Sequence, residues 1–185
     1  MILALLMVVA AGAFRLAAHE FHWWNVAPVG AIALLGGMCL GRRYALWVPV
    51  AVLAVTDVVL NVWMGYPMFY WARAFDYAAF VLIGLLGLCA RHRGTSMKIG
   101  AVVAAPFLFY LISNFAVWLF GLNLANEPYA KTFSGLTDCY IAGLPFLRGT
   151  LLGDWGFMAL FAVSALGLRW SSGERTHWLI AEAGA

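Results

Sequence analysis

The run from Ala45 to Trp63 reads ALWVPVAVLAVTDVVLNVW, almost unbroken hydrocarbon with one carboxylate, Asp57, in its interior. A helix of that length reaches across the apolar core of a bilayer, about 30 Å at 1.5 Å per residue. Five further apolar runs accompany it, at 1–18, 26–41, 74–90, 99–121 and 150–169, separated by polar punctuation such as GRR and RHRGTSMK. Only 10% of the chain is charged and 65% is hydrophobic, whereas soluble domains carry about 25% charged residues. The sequence therefore predicts an all-α integral membrane protein with six transmembrane helices, one domain over 1–170 and a short cytoplasmic tail over 171–185. Residues 1–13 lack the positive start of a signal peptide and read as the first transmembrane helix.

Orientation follows from where the basic residues fall. With the N-terminus inside, Arg42, Arg43, Arg91, Arg93, Lys98, Arg169 and Arg175 are cytoplasmic, and Arg15, Arg73, Lys131 and Arg148 are outside. Both ends are then expected in the cytoplasm. Between Phe133 and Asp154 the chain reads FSGLTDCYIAGLPFLRGTLLGD. Ser134 is an expected N-cap, and Leu136, Cys139, Tyr140, Gly143, Leu144 and Leu147 form one apolar stripe. Pro145 is expected to close this segment as an extra short amphipathic helix on the outer face, before the last span begins near Thr150.

Ionisable groups inside apolar spans are costly unless paired or hydrated, which makes them functional candidates. Asp57 and Asn61 lie one turn apart in the third span, Asn114 lies in the fifth, and Asp154 lies at the start of the sixth. In the topology above they gather in the outer half of the bundle, level with Arg15, Arg73 and Arg148. Aromatic residues crowd the same side. Asp57, Asn61, Asn114, Arg148 and Asp154 are thus candidate polar ligand contacts, with Trp23, Trp24, Trp71 and Trp118 as stacking surface. The competing structural reading is that the acids pair with Arg15 or Arg148 and lock helices together, with Asn114 as an interhelical hydrogen-bonding group.

Other chemistry is thinly represented. Cys39, Cys89 and Cys139 are widely separated, and His19 and His22 supply two ligands where metal centres need three or four. No metal site and no identifiable cofactor follow. No basic run with interleaved aromatics points to nucleic acid, and no phosphate-binding loop is present. Small residues four apart, at Ala13 and Ala17, Gly37 and Gly41, and Ala101 and Ala105, predict close helix contacts.

The segments WNVAPVGAIALLGG (24–37), LISNFAVWLFG (111–121) and YAKTFSGLTDCYIAGLPFLRGTLLGD (129–154) resemble an uncharacterised family of small bacterial membrane proteins. That family typically reads N-F-x-P-V-G-A-I-A-L in the first block and C-Y-x-A-x-x-P-F-F-R-N-T-L-L-G-D in the last. Ala130 stands here for its proline and Gly149 for its asparagine. More distantly, the layout resembles the substrate-binding S components of energy-coupling factor vitamin transporters. That resemblance implies six helices and a vitamin pocket beneath outer loops, in the bacterial inner membrane. It also implies partnership with a transporter T subunit, for which Ala13 and Ala17 could form the patch, and with ATPases.

The leading expectation is therefore a non-enzymatic protein that captures a small vitamin-like or aromatic solute from the outer face for uptake. The alternative is a structural or assembly subunit of a larger membrane complex. A third reading makes Asp57 and Asp154 the proton-sharing pair of an intramembrane enzyme, although Leu151 stands where the G-x-G-D pattern of such proteases requires glycine.

Overall fold

The computed structural model describes residues 2–23, 25–40, 42–65 and 71–172. All elements are helical: α1 (Ile2–Glu20), α2 (Val29–Leu35, continuing through a wide π turn, Gly36–Leu40), α3 (Arg42–Met64), α4 (Trp71–Ala90), α5 (Thr95–Phe120) and α6 (Phe133–Ser172). Helices α3, α4, α5 and α6 each contain a stretch long and apolar enough to cross a membrane. Their outward faces carry Val62, Ile99, Leu111, Leu152 and Val163. Water would make so extensive an apolar exterior an aggregation liability; hydrocarbon suits it. In hydrocarbon every backbone polar group must be satisfied within the fold, which favours unbroken helices.

The second apolar run is not a full span. From Val29 to Leu40 it is a short apolar helical segment, about 18 Å long at the helical rise, against a bilayer core of about 30 Å. Nor does its upper half face lipid: Val29 through Leu34 are all buried. Val29 and Ile32 pack with Ala11, Val48 and Val52, whereas Ala33 and Leu34 pack with Ile83, Ala101 and Ala105. The segment is thus a central plug joining two halves of the core. Glycines allow its approach to α4, since a Cβ at Gly37 would lie 2.3 Å from the Gly84 carbonyl oxygen and one at Gly87 2.2 Å from that of Leu34. Of the other small-residue pairs, Ala101 and Ala105 are buried between helices, Ala13 and Ala17 are exposed, and Gly41 lies outside the described residues.

A second expectation is overturned at α6. No short helix precedes a corner at Arg148; the chain runs as one helix of 40 residues through Pro145. Proline removes a single backbone donor and crowds one carbonyl, and membrane helices tolerate it where the rest of the helix is held. Here α5 holds it. Cys139 Sγ donates to the Asn114 carbonyl at 3.3 Å, Tyr140 Oη donates to the Leu111 carbonyl at 2.8 Å, and Tyr110 Oη donates to the Tyr140 carbonyl. The N-cap is also two residues earlier than expected: Thr132 Oγ1, not Ser134, accepts the Gly135 N–H at 3.2 Å. The tail from 173 onward lies outside the described residues.

Candidate functional site

A buried carboxylate in a low-dielectric interior must be paired or neutralised. Asp57, 7% exposed on α3, is paired twice. Its Oδ1 lies 2.7 Å from Arg15 Nη1 of α1, and its Oδ2 lies 3.4 Å from Arg73 Nε of α4. Tyr77 Oη donates to the same Oδ2 at 3.2 Å, and Arg73 Nη2 donates to Asn61 Oδ1 at 3.0 Å. Two pairs spaced four residues apart, Asp57 with Asn61 and Arg73 with Tyr77, thereby face each other across α3 and α4. Arg15 also donates to Thr56 Oγ1, whose own hydroxyl donates to the Val52 carbonyl at 2.7 Å. The network ties three helices at one level.

Asp154, on α6, is 4% exposed and arranged differently. Its Oδ1 accepts the Ala31 backbone N–H at 3.1 Å. The first turn of a helix leaves such donors unfilled, so a carboxylate from another helix completes α2. Its Oδ2 has no hydrogen-bond partner among the described residues.

Between these groups lies a cavity of about 290 Å³, at the small end of ligand-sized pockets, which begin near 300 Å³. Arg15, Asp57 and Arg73 line it together with Asp154, and Trp23, Phe80 and Phe109 supply apolar wall. It sits toward the end of the bundle where α1 and α3 finish and α4 begins. The chain reverses there through a tight connection. His22 (φ 57°) takes the left-handed conformation after α1 while Trp23 N–H bonds back to the Ala18 carbonyl at 2.8 Å and His22 N–H to that of His19 at 3.1 Å, the Schellman pattern of helix ends. Asn25 (φ 59°) turns the chain again, a conformation asparagine tolerates better than most residues, and both Trp23 and Asn25 face the cavity.

The structure brings together only part of the expected set. Asp57, Asp154 and Trp23 line the cavity, and Asn61 stands behind Arg73, itself buried. Asn114 is elsewhere: its Nδ2 donates to the Tyr110 carbonyl at 2.9 Å and its side chain fills the space over Gly143, in the seam between α5 and α6. Arg148 is exposed on α6 and does not line the cavity. Trp71 meets Phe120, with ring centroids 6.4 Å apart. Trp118 clamps the α5–α6 loop, donating from Nε1 to the Ala130 carbonyl at 2.8 Å with Lys131 Nζ 5.4 Å from its ring centroid. Trp24 lies outside the described residues.

Sequence reasoning missed Asp76, which lines the cavity from α4, and the Tyr77 hydroxyl on Asp57. Asp76 was accessible to the same rule that singled out Asp57, because it too is a carboxylate within an apolar span. His19 and Thr150, read only as a weak metal ligand and as the start of a span, also belong to the wall.

The chain belongs to a family of unknown function (DUF6580), whose model matches residues 1–172. No curated protein and no solved structure matches it.

Proposed function

Within that family, we propose that this protein captures a small solute in a cavity buried among its membrane helices. The observation that carries the reading is Asp154: a carboxylate 4% exposed, with one oxygen unpartnered among the described residues, on the wall of a cavity of about 290 Å³. A group whose only task was to lock α2 to α6 would be expected to have both oxygens satisfied. Asp57, by contrast, is fully engaged with Arg15, Arg73 and Tyr77, and its role is to hold α1, α3 and α4 as a rigid frame around the site.

In this reading the protein sits in a bacterial inner membrane with both ends cytoplasmic, α2 serving as a partial crossing. Arg42, Arg43, Arg91, Arg93 and Lys98 cluster at the helix ends away from the cavity, which favours that end as the cytoplasmic one. The cavity then faces the outside, as in an S component. A chain without a phosphate-binding loop would draw the energy for uptake from partner subunits, a T subunit with its ATPases.

The test is mild detergent purification followed by native mass spectrometry. Capture predicts a small-molecule adduct on the wild-type chain that is lost in Asp154→Asn. Recovery in fixed stoichiometry with other membrane proteins, with no adduct, would favour the assembly-subunit reading instead.

A further inference from the structure

The charges on the cavity wall do not balance. Its guanidiniums are Arg15 and Arg73, and its carboxylates are Asp57, Asp76 and Asp154, with His19 the remaining titratable group that lines it. Both guanidiniums converge on Asp57, at 2.7 Å and 3.4 Å. Arg73 spends a further donor on Asn61, and Arg15 spends one on Thr56. Asp57 takes the direct contacts of both guanidiniums, and the field of both also reaches Asp76. Asp154 receives only a neutral backbone N–H, and Asp76 stands on the same wall.

A desolvated carboxyl is either held neutral by a proton or, where a positive charge that also donates a hydrogen bond reaches it, stabilised as the carboxylate. Aromatic rings line the same cavity. Phe80 and Phe109 have centroids 4.8 Å apart and line the cavity with Trp23. Ring faces attract cations and pack against flat apolar groups.

We infer that the captured solute is a small organic cation, an amine-bearing molecule with an apolar or aromatic body, whose ammonium group is held by Asp154 Oδ2. This rests on the capture reading above. The Arg15–Asp57–Arg73 network carries one positive charge in excess, which Asp76 on the same wall offsets, so the charge left for the solute is that of Asp154. Gly30 is part of the device: a Cβ there would lie 2.3 Å from Asp154 Oδ1, so the absence of a side chain gives the carboxyl its position.

Three probes with one ring system and three charges separate the possibilities: tryptamine, tryptophol and indole-3-acetate. Equilibrium dialysis against the purified full chain, with tryptamine as the labelled probe and the others as competitors, reads the preference directly. Tryptamine is expected to bind saturably and about tenfold or more tighter than either analogue, as a charge-assisted hydrogen bond requires. Asp154→Asn keeps the carboxyl shape and the acceptor for Ala31, and it is expected to erase the preference; Asp76→Asn is expected to reduce it. Tryptophol or indole-3-acetate competing as well as unlabelled tryptamine would overturn the cation assignment while leaving solute capture standing. Wild-type affinity for tryptamine in a folded Asp154→Asn protein would overturn it in the same way. No saturable binding of any of the three to wild-type protein with an intact melting transition would remove the capture reading and the inference together. The comparison among probes needs only the wild-type chain, so a variant that failed to fold would not rescue the assignment.

Discussion

Gly30 of α2 and Asp154 of α6 share a space that admits only one side chain: a Cβ on residue 30 would lie 2.3 Å from Asp154 Oδ1 and 2.4 Å from Oδ2. The obstacle is the end of a side chain, so the helices need not separate. Gly30→Ala is expected to swing the carboxyl away and cost the Ala31 hydrogen bond. Overpacking of this kind costs about 1–3 kcal/mol, readable as a lower melting temperature in detergent. A melting temperature unchanged from wild type would mean that the two residues are not opposed.

The glycines against α4 pose a harder constraint, because their obstacles are backbone. Gly87→Ala would drive a methyl group into the Leu34 carbonyl and toward Gly37, neither of which can rotate aside. The expected result is a fall in folded yield well beyond that of Gly30→Ala. Gly100→Ala is the control: nothing lies within 4 Å of its Cβ position, and alanine is favoured over glycine in a helix by about 1 kcal/mol. Gly100→Ala should therefore be neutral or stabilising.

Asp57→Asn would leave Arg15 and Arg73 facing each other without their shared acid. Breaking a buried ion pair costs about 3–5 kcal/mol, and the 26% exposure of the Arg15 side chain places this site toward the lower end. Removing all three charges together, with Arg15→Met, Arg73→Met and Asp57→Asn combined, should recover much of the loss. Chemical or thermal unfolding of the single and triple variants checks both expectations.

The sequence carried part of this network: the pairing of Asp57 with Arg15 is anticipated, whereas Arg73 stands where Arg148 is the expected second partner. A carboxylate deep in a hydrocarbon run must find a cation, and alternation of the spans put Arg15, Arg73 and Asp57 at one level. What it could not convey was the division of labour: two arginines satisfy one acid, and Asp154 is left with a backbone donor. The Asp76 side chain escaped notice because it follows a stretch rich in tyrosine and tryptophan, where polar residues read as interface. The tryptophans misled for a related reason. An indole near a helix end serves a pocket or a loop equally well by composition, and Trp118 is taken up by the Ala130 carbonyl and Lys131. The 26–41 run looked like a short span because its length is intermediate; only the packing of Val29 to Leu34 on all sides identifies it as a plug.

Pro145 is the position where local chemistry and tertiary packing disagree most openly. Proline inside a helix costs about 3 kcal/mol, whereas its stiffening of the unfolded chain returns up to about 1 kcal/mol. Because α6 is continuous and residue 145 is exposed, Pro145→Ala should raise stability by about 2 kcal/mol, seen as a higher melting temperature. A decrease would indicate that the proline ends a helix there.

Solute capture in the space bounded by Asp57 and Asp154 is open to direct observation. The most direct measurement is an experimental density map, by crystallography or cryo-electron microscopy, of the wild-type chain purified in mild detergent with tryptamine present. Capture predicts non-protein density beside Phe80 and Phe109 with a donor within hydrogen-bonding distance of Asp154 Oδ2. A map in which Asp154 Oδ2 accepts from a protein side chain and the cavity is filled by the protein's own residues would contradict it.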